Sequence, residues 1–186
     1  MAHSIVSDSE LLMRSAEVFR TYGFEGTSLS RLSQATGLEK ASLYHRFPGG
    51  KQQIALAVAE GTRAWLQQNL FEPLKEPGDP RKKLRAVTEQ LRLCYVDGTM
   101  PCSFEVLSLA GGTAELNEIL RGALQAWLKA FAEIAKESGL PVSEARKRAE
   151  LAIIQIEGSL ILGRVLDNTK AFHKVLDELP ALLTRE

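Results

Sequence analysis

Cysteine, histidine and long apolar runs are all scarce in this chain, and each scarcity removes a class of function. Two cysteines occur in 186 residues, Cys94 and Cys102, with three histidines, His3, His45 and His173. They form no CxxC pair and no zinc-type spacing, so two buried free thiols are expected, and neither a metal nor a cofactor. No GxSxG, no Walker-type Gly-rich lysine loop and no HExxH occurs, and no histidine stands in a catalytic spacing with carboxylates, so an enzyme is not expected. No apolar run reaches the roughly 18–20 residues of a membrane span. The N-terminus MAHSIVSDSE lacks a basic segment followed by an apolar core, and a cytoplasmic protein is expected. Net charge is zero, from 23 basic and 23 acidic residues, which excludes a protein that coats nucleic acid by bulk charge.

What is present is helical periodicity. Apolar residues recur at 3.6-residue spacing and strand-like alternation is rare, so the spacing predicts an all-α fold of about nine helices. The first runs from Asp8 to Tyr22 and stops at Gly23. Thr27 or Ser28 caps a helix of about eight residues, which Gly37 ends; a second short helix runs from Glu39 or Lys40 to Arg46. Longer helices are expected over Lys51–Leu70, Pro80–Asp97, Thr113–Ser138, Ser143–Asp167 and Thr169–Thr184, with a short one near Phe104–Ala110. EPLKEPGDP, with three prolines and a glycine in nine residues, is the clearest break.

Two short helices about a tight glycine turn, braced by a longer first helix, follow the helix-turn-helix plan. The motif falls at about 28–47 within an N-terminal domain of residues 1–50, and residues 51–186 form the second domain. From Gly23 to Gln53 the chain carries Arg31, Lys40, Arg46 and Lys51 against Glu25 and Glu39, a local charge of +2. With Leu43 and Phe47 turned inward, Lys40, Ala41, Ser42, Tyr44 and His45 surround an outward face. Ala41 can touch a thymine methyl, and Ser42 or Lys40 a base edge or phosphate. Tyr44, His45 and Lys51 suit the backbone, and Thr27 and Ser28 the far side of the groove.

The stretch VFRTYGFEGTSLSRLSQATGLEKASLYHRFPGGKQQIALAV resembles the DNA-binding domain of the TetR (tetracycline-repressor) family over roughly the first 60 residues. The resemblance implies a double-stranded DNA operator as partner, and contact roles for Thr27, Lys40, Ala41, Ser42, Tyr44, His45 and Lys51. Two positions depart from the family pattern: Ala41, where glycine is common, and Glu39, where a small hydroxyl residue is common. Glu39 can accept from a cytosine amino group or repel phosphate, and base preference stays open.

The segment Ser143–Asp167 has an apolar arc covering more than half its circumference, more than one buried side requires. One side then packs inward and another meets a second copy, which places Ile154, Gly158, Ser159, Leu162 and Leu166, with Phe172 and Leu176 of the last helix, at a homodimer interface. The resemblance implies the same, since family members typically dimerise through their last two helices. Trp65, Tyr95, Cys102, Phe104, Trp127 and Phe131 are core-like residues that can also line a cavity for an apolar or aromatic effector. Gln155, inside the apolar arc, needs a partner for its amide. GTMPCSFEVLSL resembles a segment of a subgroup that includes regulators of multidrug-efflux genes and flavonoid-responsive repressors. The function expected is a ligand-responsive repressor binding a palindromic operator as a dimer; the alternative is a helical adaptor that offers Lys40–Arg46 to an acidic protein partner.

Overall fold

The computed structural model describes residues 6–109 and 113–185. The helices are α1 Asp8–Gly26, α2 Leu29–Thr36, α3 Lys40–Arg46, α4 Gly50–Leu66, α5 Glu72–Lys75, α6 Pro80–Cys94, α7 Ser103–Ser108, α8 Ala114–Glu137, α9 Val142–Leu166 and α10 Lys170–Leu182. A π-helical turn, Gln67–Phe71, joins α4 directly to α5, so the three pieces make one rod and the described residues hold nine separate helices. The rod outruns the expected end at Leu70. Pro73 has no amide, and its ring crowds the carbonyl four residues back; a wider turn just before it relieves both. Ala110, the expected end of the α7 helix, lies outside the described residues. Among the described residues no helix is long and apolar enough to cross a membrane.

The chain divides into two compact units. The first comprises residues up to Arg63 together with Ser103–Leu120, and the second Ala64–Cys102 with Arg121 onward. This partition differs from the boundary expected at residue 50. Most of α4 belongs with the first three helices because Ile54, Ala55, Val58 and Ala59 are fully or almost fully buried in the same cluster as Leu11, Phe19, Leu32 and Leu43. Leu107, Leu116 and Leu120 complete that cluster from far downstream, a non-local contribution that a linear reading does not find.

Local chemistry sets the element ends in the first unit. Ser7 caps α1 and Ser28 caps α2, each hydroxyl accepting from an amide three residues on. The regular part of α1 ends at Tyr22, since Gly23 leaves the helical region at φ 69° and ψ 173°. Gly37 takes the left-handed conformation at φ 73°, and its amide donates to Ser33 O, which closes α2 and starts the turn into α3.

In the second unit α10 packs against both α6 and α9. Leu84, Leu91, Trp127, Phe131, Ile156, Phe172, Leu176 and Leu179 are buried there. The turn after α6 is tight: Val96, Asp97 and Gly98 are all left-handed, at φ 47°, 52° and 88°. A Cβ on Gly98 would lie 2.8 Å from two ring carbons of Phe172. Gly98→Ala therefore meets both backbone strain and overlap with a buried ring, and should cost about 2–4 kcal/mol in urea unfolding. Gly122, exposed in α8 with open space at its Cβ position, gives the opposite sign: Gly122→Ala should gain about 0.5–1 kcal/mol in the same measurement.

Candidate functional site

α3 is held by one anchor. Leu43 is fully buried, Arg46 and Phe47 are half-buried, and Lys40, Ala41, Ser42, Tyr44 and His45 are all exposed. Lys40 with Tyr44, and Ala41 with His45, stand one helical turn apart and so share faces. The five side chains form a continuous outward surface of an ammonium, an imidazole, a phenol, a hydroxyl and a methyl. Such a surface can donate to phosphates and base edges without moving an apolar residue.

The flanking residues place this helix. Arg14 of α1 donates from Nη1 to Thr36 O at 3.3 Å, gripping the carbonyl end of α2 beside the Gly37 turn. Ser33 Oγ donates to Leu38 O at 2.6 Å across the turn. Arg46 Nη1 donates to Val6 O at 3.2 Å and pairs with Asp8 Oδ1 at 3.1 Å, tying the end of α3 to the start of α1. Arg31 is exposed on α2, with its guanidinium 4.1 Å from the Tyr22 ring centroid and bonded to Gly26 O. The sequence marked Arg31 and Arg46 only as charge and did not single out Arg14, because their partners are backbone carbonyls or lie far along the chain.

Two of the expected DNA contacts are otherwise occupied. Thr27 is 2% exposed, and its hydroxyl donates to Gly23 O at 2.6 Å. It closes the end of α1 and does not face solvent; Ser28 beside it is exposed while capping α2. Lys51 Nζ donates to Phe24 O at 2.8 Å, lies 4.3 Å from the Phe24 ring centroid and is 3.9 Å from Glu25 Oε2. It pins the α1 end to the start of α4. A carbonyl end that must be satisfied recruits the nearest donor, and spacing alone does not reveal that need.

The expected effector residues separate. Phe104 packs at the edge of the first unit's cluster. Tyr95, Cys102, Trp127 and Phe131 are buried in the second unit, and Trp65 is half-buried. Tyr95 stands edge-on to Phe172 at 5.9 Å, and its hydroxyl donates to Cys102 Sγ at 3.7 Å. Burial raises the Tyr95 phenol well above its ordinary range, with the nearby Cys102 thiol and Glu157 adding to the effect. Trp127 packs edge-on to Phe131 at 5.9 Å, and its buried Nε1–H has no hydrogen-bond partner among the described residues. Two grooves of the second unit, about 490 and 610 Å³, are lined by none of these seven residues. Gln155 is exposed, not buried, because it lies beside Ile154 on the outer side of α9.

The expected interface set also divides. Ile154, Leu162 and Leu166 are 60, 50 and 67% exposed, and Leu151, Ile161 and Val165 join them. Gly158 lies between, half-buried, with open space where a Cβ would stand. Ser159, Phe172 and Leu176 are instead buried within the chain, at 3, 0 and 0%. The apolar face of α10 is spent on α6 and α9, and Ser159 donates to Ile156 O on the inner side of α9. Amphipathicity gives a buried face; it does not say what buries it.

Residues 11–58 match the bacterial regulatory proteins of the tetR family, and residues 80–178 match the C-terminal domain of LmrA/YxaF-like transcriptional regulators. The chain is 23% identical to the HTH-type transcriptional regulator LmrA of Bacillus subtilis over 184 residues, which cover 96% of this chain and 97% of that protein. It is likewise 23% identical to the uncharacterized HTH-type regulator YxaF of the same organism, covering 97 and 96%. In structure it resembles a TetR transcriptional regulator from Legionella pneumophila with a TM-score of 0.84 at 14% identity, over 97% of this chain and 98% of that one. The helix-turn-helix head and the helical second unit thus have their counterparts along nearly the whole length, and the chain belongs to the TetR family of DNA-binding transcriptional regulators, which are not enzymes.

Proposed function

We propose that the protein is a cytoplasmic, ligand-responsive repressor that binds a palindromic operator as a homodimer. Residues 1–50 supply the DNA-binding domain, and residues 51–186 hold the effector and the dimer interface. The observation that supports this most directly is the exposure of Lys40, Ala41, Ser42, Tyr44 and His45 around a fully buried Leu43. Seated in the major groove, this face reaches base edges with Ala41 and Ser42 and phosphates with Lys40, Tyr44 and His45. Thr27 and Lys51 act by holding the backbone that presents it.

The dimer is supported by the outer stripe of α9. Leu151, Ile154, Ile161, Leu162, Val165 and Leu166 expose apolar surface at helical spacing, and Gly158 and its open surroundings allow another helix to come close. A second copy of the same stripe is self-complementary about a two-fold axis. The effector is supported by Trp127, whose buried indole N–H is a donor awaiting an acceptor. An aromatic or apolar molecule carrying one acceptor fits that need. It would act by preferring a dimer whose two reading helices no longer match successive grooves.

Mobility shift against salt separates the DNA reading from the adaptor alternative. Operator affinity should fall steeply as salt rises; Lys40→Ala should reduce the log–log slope by about one. Thr27→Val should leave that slope intact and lower stability by about 1 kcal/mol in urea unfolding, through the lost bond to Gly23 O. For the interface, sedimentation of Leu162→Glu should give a folded monomer with at least about tenfold weaker operator binding, since only one half-site is then held at a time.

A further inference from the structure

Between Gly26 and Ala59 the chain contains a single acidic residue, Glu39, alongside Arg31, Lys40, Arg46 and Lys51. That residue is the N-cap of α3, the helix that carries the outward face. Its backbone carbonyl accepts from Leu43 N at 3.0 Å, but its side chain makes no capping bond. The carboxylate is exposed and has no ion-pair or hydrogen-bond partner among the described residues.

Structurally, glutamate is a poor choice here. Ser, Asp or Asn at an N-cap would satisfy an amide of the first turn, and glutamate leaves it open. Its negative charge does gain from the amides at the helix start, as an aspartate's would, but no amide is capped. On binding DNA the position is costly, since a carboxylate without an ion pair is carried toward a polyanion in a segment, Gly26–Ala59, that holds no other acid. Both costs vanish if the carboxylate accepts a hydrogen bond from the DNA. In the major groove the donors on base edges are the amino groups of cytosine and adenine, and glutamate at the start of a reading helix pairs with cytosine N4. Adenine carries its donor and the acceptor N7 on one base, which suits an amide that both donates and accepts better than it suits a carboxylate.

We propose that Glu39 is a specificity-determining residue that requires a C·G pair at one fixed position in each operator half-site, by accepting from the cytosine N4 amino group. This rests on α3 being the reading helix. Lys40, Tyr44 and His45 supply affinity, while Glu39 supplies discrimination: at a non-cognate pair its charge is desolvated without a donor, so it penalises wrong sequences more than it rewards the right one.

The test is selection of bound duplexes from a random DNA pool by the full-length protein, followed by titration of single-base variants of the selected operator. Wild type should enrich a symmetric sequence with an invariant C·G pair, preferred by about tenfold over the alternatives. Glu39→Ala should reduce that preference to less than about twofold at that pair alone, and should bind random duplex more tightly because a repulsive charge is gone. Glu39→Gln should shift the preference toward A·T, where an amide can both donate and accept. Unchanged melting temperatures would confirm that both variants fold. If wild type enriches an operator and Glu39→Ala keeps every base preference, with only a uniform rise in affinity, the carboxylate merely repels phosphate and the proposal is overturned. If wild type enriches no sequence, α3 is not a reader, and the operator-binding function falls together with this inference.

Discussion

A helix of seven residues cannot hold itself together in water; isolated helices shorter than about 12–15 residues are marginal even with favourable sequences. α3 exists because Leu43 sits at zero exposure in a cluster with Leu32, Phe19 and Ile54. Burying one leucine contributes about 1.5–3 kcal/mol, comparable to the whole cost of nucleating so short a helix. Leu43 is thus the one fully buried side chain of α3, supported by the half-buried Arg46 and Phe47 at its end. Lys40, Ala41, Ser42, Tyr44 and His45 are released from packing duty, and this freedom lets five polar or small residues face outward.

One apolar anchor fixes depth but not rotation. The rotation comes from carbonyls. Arg14 holds the end of α2, Ser33 spans the turn, Arg46 binds the start of α1, and Lys51 and Thr27 close its end. Arg14, Lys51 and Thr27 bond carbonyls that the ends of α2 and α1 leave open, while Ser33 and Arg46 bond carbonyls of the turn and of the segment before α1. The polar groups around the reading face are thus divided between holding and reading, and residue type does not reveal the division. A lysine or threonine beside a helix-turn-helix has the right chemistry for either task; the nearest unsatisfied carbonyl decides.

That division explains what the sequence could and could not show. The helices themselves were legible because caps and glycine stops are local: Ser28, Gly37 and the break at Pro80 each act within a few residues. The exposed face of α3 was legible because Leu43 and Phe47 define its opposite side. The bonds that Thr27 and Lys51 make within the chain are not legible, because their carbonyl partners come from α1. Phe172 and Leu176 differ from the expected interface because an apolar face has no label for its partner: α6 and α9 pack against α10, while Ser159 lies on the inner side of α9. Gln155 was placed inside because one amide in an apolar arc suggests burial, although that arc has two sides. The first unit's use of Leu107, Leu116 and Leu120 is not legible for the same reason: it depends on contacts between segments far apart in the chain.

The chain's neutrality constrains how such a head can work. A strongly basic protein binds any duplex and gives up specificity for retention. Here the net charge is zero, and the local excess near α3 is two charges, part of which is paired with carbonyls and exposed carboxylates of the same chain. In the proposed repressor a single head is therefore expected to bind weakly. In the proposed dimer the second head acts at a high effective concentration, but only while the spacing of the two heads matches the spacing of the grooves. With little unspecific attraction to fall back on, a small change in spacing costs nearly the whole gain from the second head. Low charge thus makes the complex sensitive to geometry, a property that a regulator released by a small molecule requires.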